Sequence, residues 1–255
     1  AKGGWRITAP QVKGHAGFRL NALVSGLANA SWGRLAAEFL KVKDDPAMLQ
    51  PFVNTIFAQG WRDAGDDVSE GDLMQRVEDF DLNAIPPEVL AITIGVDVQD
   101  DRLEVSIIGW DRDSAVIVLA HVVILGSPDD DMTWAELDEL LRSRWQHPHG
   151  GQLKVDAAVI DSGDGDWTEK VYSFCFPRWR QRVLAGKGMS GSRPAIQMSK
   201  SKTRGGSIFI IGVDTIKTTL MNRLARGRAI RFSKSLQQVY FEQLTSERKV
   251  LRYVK

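Results

Sequence analysis

The chain has 255 residues, 43% hydrophobic and 25% charged, which gives ample apolar material for a packed core and argues against a disordered segment. No stretch approaches the ~20 apolar residues that a membrane helix needs, and a single cysteine, Cys175, excludes a disulfide framework and a cysteine-rich zinc site. The formal net charge of +1 conceals a division: residues 1–169 carry 14 Lys and Arg against 29 Asp and Glu, a balance of −15, whereas residues 170–255 carry 19 against 3, a balance of +16. Between Lys170 and Phe241, 15 bases face one acid, Asp214. A polyanionic partner accounts for such a half; the alternative is mutual neutralisation of the two halves within one globule. The start, Ala1-Lys2-Gly3-Gly4-Trp5, has neither a signal-peptide core nor an initiator methionine and is expected to be the cut edge of a longer protein.

The first 88 residues read as a helical segment. Ser31 is a plausible N-cap before Trp32, Leu35, Ala36 and Phe39, which recur at helical spacing. Asp45-Pro46 opens a second helix bearing Leu49, Phe52, Val53 and Ile56. Ile85-Pro86-Pro87 marks the boundary of a second domain, 89–255. There Leu90–Val96, Leu103–Ile108 and Ala115–Ile124 read as three strands of an antiparallel meander, turning at Asp100-Asp101 and Asp111-Arg112-Asp113. Thr133 is expected to cap a helix running to about Trp145; a strand at Val155–Ile160 and a helix around 166–180 follow. Residues 185–206, rich in Gly, Ser, Lys and Arg, read as an exposed loop. Ser207–Val213 is a fifth strand, and Asp214 opens a helix to Leu224. The order β-β-β-α-β-α-β-α predicts a mixed sheet with helices on its faces.

Three acids fall at the ends of apolar strands: Asp97, Asp161 after Val159-Ile160, and Asp214 after Ile210-Ile211-Gly212-Val213. A carboxylate beside a buried strand is costly to desolvate unless a metal or a donor compensates it. Each alone reads equally as a turn former or helix cap. Three together can converge in the crevice at the strand ends, where ligands bind in open sheets. Converging carboxylates repel and call for divalent cations, and all-oxygen ligation suits Mg²⁺ or Mn²⁺. Two such ions suit phosphodiester hydrolysis. Lys217, one turn after Asp214, is expected to project from the same helix face, to touch a phosphate, to hold Asp214, or to stand as a solvated lysine. Arg178, Arg180, Arg182, Lys187, Arg193, Lys200, Lys202 and Arg204 are the candidate DNA-binding bases of the positive half.

Ile94-Gly95-Val96-Asp97-Val98-Gln99, Val159-Ile160-Asp161-Ser162-Gly163 and Ile211-Gly212-Val213-Asp214-Thr215-Ile216-Lys217 resemble the nuclease motifs of the phage terminase large subunit, lambda-type (GpA) family. Gly17–Leu23, the Ser31-Trp32 to Phe39-Leu40 segment and Phe52-Val53-Asn54-Thr55 resemble the stretch that links that family's ATPase to its nuclease; Phe241-Glu242-Gln243-Leu244-Thr245 to Glu247-Arg248 resembles a later part. The resemblance implies an RNase H-like fold, cleavage of concatemeric double-stranded DNA during genome packaging, and Asp97, Asp161 and Asp214 as ligands of two Mg²⁺ or Mn²⁺ ions. It implies as partners a terminase small subunit, a portal or procapsid and an ATPase domain, with the host cytoplasm as the place of work. No G-x-x-x-x-G-K-[ST] loop occurs, so ATP hydrolysis is not expected of this chain.

Other features have plainer readings. Asp166 is expected to cap a helix, Asp100 and Asp101 to form a turn, and His147-Pro148-His149 to lie in a surface loop. Cys175 reads as buried filler, and Trp167, Phe176 and Trp179 as core. Two other functional classes stay open: a DNA- or portal-docking module, and an ATP-binding domain of the actin and sugar-kinase type. Against the latter, Val98-Gln99-Asp100-Asp101 after Asp97 is a poor phosphate cradle.

Overall fold

The computed structural model describes residues 17–43, 45–60, 69–199, 206–225 and 230–246. They belong to two compact units that divide between Arg62 and Asp63.

In the first unit, two short 3₁₀ turns precede α1 (Trp32–Val42) and α2 (Pro46–Thr55). Asp45 caps α2 by accepting the Met48 N–H (3.3 Å), as expected. Ser31 occupies the cap position of α1 without a side-chain bond. The helices meet through aromatic rings: Phe52 lies 5.7 Å from Phe39 and 5.3 Å from Phe57, the latter edge-on, a geometry that favours aromatic pairs.

The second unit begins earlier than the double proline suggests. It contains α3 (Glu70–Met74) and β1 (Val77–Glu78), and Leu73, Phe80 and Ile85 are buried in its cores. Of the described part of this stretch, Leu73, Phe80 and Ile85 are core residues while Met74 is exposed, so the segment expected to be linker is partly scaffold.

Then follow β2 (Ala91–Gln99), β3 (Arg102–Trp110), β4 (Val116–Leu125), α4 (Asp131–Arg142), β5 (Arg144–Gln146), β6 (Gln152–Asp161), α5 (Thr168–Cys175), β7 (Val183–Met189), β8 (Ile196–Met198), β9 (Phe209–Gly212), α6 (Val213–Ala225), β10 (Ile230–Ser233) and α7 (Gln238–Ser246). The strands form one mixed sheet ordered β1-β10-β4-β3-β2-β6-β7-β9-β8, with β5 paired to β6. The expected meander β2-β3-β4 is antiparallel, and β2, β6, β7 and β9 run parallel.

Alternation sorts side chains onto two faces. Ile107, Ile117 and Leu119 join a large core with Trp134 and Leu137 of α4 and Val171 and Phe174 of α5. Ile108, Val116 and Val118 join a second cluster with Leu73, Leu224, Phe232 and Phe241, beneath α3, α6 and α7.

Several local expectations are corrected. Residues 185–206 are not simply loop: β7 runs through 189, central in the parallel array, and β8 pairs with β9. Gly186 and Gly188 mask that strand in the sequence, because they lack the apolar side chains by which strands are recognised. Thr133 does not cap α4; Asp130 does, accepting the Met132 N–H (2.9 Å), while the Thr133 hydroxyl donates to the Ser127 carbonyl. Asp166 does not cap α5, which starts after Trp167 with no side-chain cap. That helix stops at Cys175 and continues as a 3₁₀ turn, Phe176–Gln181. Cys175 is buried, and burial pushes its thiol up to about 12, so filler it is. Among the described residues, no helix is long and apolar enough to cross a membrane.

Candidate functional site

On the sheet face opposite the large core lies a groove of about 540 Å³. Its floor is β-strand backbone at Gly95, Gly186 and Gly188. Asp97, Glu104 and Asp161 line it, and Tyr240, Gln243 and Leu244 of α7 form a wall. The glycines keep the floor low. A Cβ on Gly186 would stand 2.7 Å from Val159 Cγ1, and one on Gly95 would meet nothing within 4 Å, projecting into open space.

Asp97 and Asp161 reach the groove through register. Val96 pairs with Ile160 in the parallel β2–β6 ladder, so the next residues, Asp97 and Asp161, stand side by side on adjacent strands. On the other side, Asp97 faces Glu104 of β3 across the antiparallel pair. Three carboxylates thus lie in a row over three neighbouring strands. Burial raises the Asp97 pKa; a hydrogen bond from Gln99 Nε2 to Oδ2 (2.6 Å) opposes this, and the charges of Asp161 and Glu104 push it further up. Glu104 moves the other way. Burial pushes it up, but hydrogen bonds from Arg102 (2.8 Å) and Gln243 (3.3 Å), with the charges of Arg102 and His121, bring it below the ordinary range. His121 Nε2 lies 3.4 Å from Glu104, and its ring lies 5.3 Å from that of Tyr240. The Tyr240 hydroxyl, hydrogen-bonded to Ser106, is pushed up to about 12 by burial.

Asp161 is held where β6 ends. Its Oδ1 accepts the Gly163 N–H (2.9 Å), and the buried Ser162 bonds to the Gly186 carbonyl through both its backbone N–H (2.7 Å) and its hydroxyl (2.8 Å). Asp214 stands apart. It lies in the first turn of α6, as expected, but is not among the groove's lining residues. Its Oδ2 accepts the Gly191 N–H (2.7 Å) from the turn after β7, a turn further tied by the Thr215 hydroxyl to the Arg193 carbonyl (2.7 Å). Lys217 is exposed one turn further along α6.

Hard carboxylate oxygens are the right donors for Mg²⁺ or Mn²⁺, and Asp97 beside Asp161 is a placement that a cation would stabilise. Among the described residues, however, no three His, Cys, Asp or Glu side chains are gathered closely enough to hold one ion. Two of the three expected ligands are therefore together, and the third is engaged elsewhere.

The candidate bases are scattered. Arg178 bonds Asp138 (2.7 Å) and lies 4.0 Å over the Phe174 ring. Arg180 lines a separate cavity with Phe176, Pro177 and Trp179. Arg182 is the left-handed residue that ends the 3₁₀ turn, and Lys187 falls on the face of β7 that carries Ala185, away from the groove. Arg193 belongs to the turn that binds Asp214. Lys200, Lys202 and Arg204 lie outside the described residues. His147 and His149 sit at a surface turn, His147 Nε2 against the Pro87 carbonyl (3.2 Å).

Glu104, His121 and the α7 residues were not anticipated. Glu104 had a signal: a hairpin turning at Asp100-Asp101 pairs Gln99 with Arg102 and therefore Asp97 with Glu104.

The chain matches the model of the terminase large subunit gpA endonuclease domain over residues 15–255. It belongs to that family. This gpA-type domain is 29% identical over 240 residues to the terminase large subunit of Enterobacteria phage P21, which covers 88% of this chain and 37% of that protein. It is 26% identical over 195 residues to the terminase large subunit of Escherichia phage lambda, covering 76% and 30% respectively. The chain therefore spans about a third of the length of these relatives. No solved structure matches it.

Proposed function

We propose that this terminase domain is a metal-dependent endonuclease that cleaves concatemeric double-stranded DNA during viral genome packaging. The observation that carries the reading is the side-by-side placement of Asp97 and Asp161 on adjacent parallel strands, above a floor of glycines, in a chain of the gpA endonuclease family. The order β4-β3-β2-β6-β7, with β3 alone reversed against the others at the centre, supports an RNase H-like fold.

Asp97 and Asp161 would hold Mg²⁺ or Mn²⁺, with Asp214 joining on release of the Gly191 amide. Bound as a pair, the ions would supply an activated water and stabilise the leaving 3′-oxygen. The chain's own residues do the rest. The low backbone of Gly95, Gly186 and Gly188 admits a phosphodiester to the carboxylate row. Glu104, kept ionised by Arg102 and Gln243, maintains negative charge beside Asp97, and Lys217 and Arg193 flank the Asp214 side with positive charge. A small subunit, a portal or procapsid and a linked ATPase are the partners this reading entails, in the host cytoplasm.

A second reading is a docking module for DNA or portal, and the Gly191–Asp214 bond favours it, because the ligand set is incomplete while that bond stands. Plasmid nicking in Mn²⁺, Mg²⁺ or EDTA, with Asp97→Ala alongside, separates the two. Metal-dependent nicking that Asp97→Ala abolishes supports the nuclease. Salt-sensitive DNA binding without nicking in any metal supports the docking module.

A further inference from the structure

The pairing of Asp97 with Asp161 depends on one irregularity in β6. Leu153 and Val155 pack against the large core, and so do Ala158 and Ile160. A regular strand sends alternate residues to one face, so odd positions below 156 and even positions above it cannot share a face without one inserted residue. The register records that insertion: Ile92 pairs with Val155, but Thr93 pairs with Ala157. Asp156 is the extra residue. Its Oδ2 accepts the Ile92 N–H (3.0 Å), a partly buried contact at the break in the ladder.

The consequence lies five residues away. With an unbroken ladder from Ile92–Val155, the partner of Asp97 would be Ile160. The insertion advances β6 by one and brings Asp161 there instead. Bulges of this kind re-aim side chains beside functional sites.

We propose that Asp156 is a positioning residue for the terminase nuclease site, pinning the bulge that sets Asp161 beside Asp97. This rests on the nuclease reading for its purpose, but not for its geometry. The core pattern of β6 favours the bulge by itself, while Asp156 satisfies the N–H that the bulge leaves without a strand partner. Removing the acceptor leaves that donor unsatisfied and frees residues 157–161 to shift along β2. An asparagine retains an acceptor oxygen of the same reach, so Asp156→Asn preserves the function that Asp156→Ala removes.

The test reads geometry without metal. Asp97→Cys and Asp161→Cys are combined, and disulfide formation under mild oxidation is timed in EDTA, with Asp156 intact or changed to Asn, Ala or Val. Neighbouring residues on paired strands lie within disulfide reach. The Val variant restores strand propensity without an acceptor, so a folded chain is available if the Ala variant is too weak. The expected result is an unchanged rate for Asn and a rate roughly tenfold lower for Ala and Val, the scale of one unsatisfied buried donor. Mn²⁺ affinity of the single variants should fall in parallel. Folded Ala or Val variants that cross-link as fast as the parent overturn the inference, as does an Asn variant as slow as Ala. Slowed cross-linking in Ala and Val, in a chain that neither binds Mn²⁺ nor nicks DNA, sustains the positioning role and sinks only the nuclease reading.

Discussion

Asp97 sits in an environment that penalises its charge, first through burial and then through Asp161 and Glu104. A folded-state pKa raised above the unfolded value makes the carboxylate a source of stability at low pH that is lost as pH rises through the raised value. Asp97→Asn should therefore melt at a higher temperature than the parent at pH 7 in EDTA. The gain should shrink as pH falls through the raised value and vanish below the ordinary aspartate range. Equal melting temperatures across that range would show that the charge is already relieved. Gly186 makes the complementary case. A side chain there must displace Val159 and would touch Ile211, so Gly186→Val should cost about 1–3 kcal/mol of overpacking, and it should depress nicking beyond what its melting temperature accounts for, because the valine also fills the groove floor.

At the scale of elements, α7 has two duties. Phe241 is 1% exposed and packs edge-on against Phe232 at 5.3 Å, while Tyr240, Gln243 and Leu244 of the same helix wall the groove. Phe241→Ala should lose about 3–5 kcal/mol in denaturant titration, and the Gln243–Glu104 contact should go with the helix. Gln243→Ala, which spares the packing, should leave stability nearly unchanged. The cap of α4 is a cleaner element-level test. Asp130→Ala should cost about 1 kcal/mol, whereas Thr133→Ser, which keeps the hydroxyl bonded to Ser127, should cost less. A negligible loss in Asp130→Ala would show that the bond from Met132 to Asp130 does not hold the helix end.

For the whole molecule, the division of charge is the governing feature. A basic half attracts the phosphate backbone without reading sequence, and each phosphate neutralised contributes a slope of about −0.9 to log K against log salt. Binding to duplex DNA should therefore weaken steeply between roughly 50 and 200 mM salt. A flat salt profile would mean that the two halves neutralise each other internally. Part of the charge is spent in that way: Arg178 is held by Asp138, and Arg231 by Glu78.

The meander β2-β3-β4, the helix from Asp214 and the three strand-end acids were legible in the sequence because each rests on local rules. β-Branched apolar runs make strands, acidic pairs make turns, and an acid before a helical pattern marks its start. β7 was not legible, since Gly186 and Gly188 hide it, nor was the contribution of Leu73, Phe80 and Ile85 to the core, since their stretch is otherwise polar. Which acids meet was beyond any local rule. Asp97 and Asp161 are 64 residues apart and are brought together by a one-residue bulge, whereas Asp214, equally well placed in the sequence, is bonded to Gly191. Residue type and periodicity, which neighbouring residues decide, were therefore determined by the sequence alone. Register between distant strands and the rotamer of each carboxylate depend on contacts between segments far apart in the chain, and only the tertiary structure decided them.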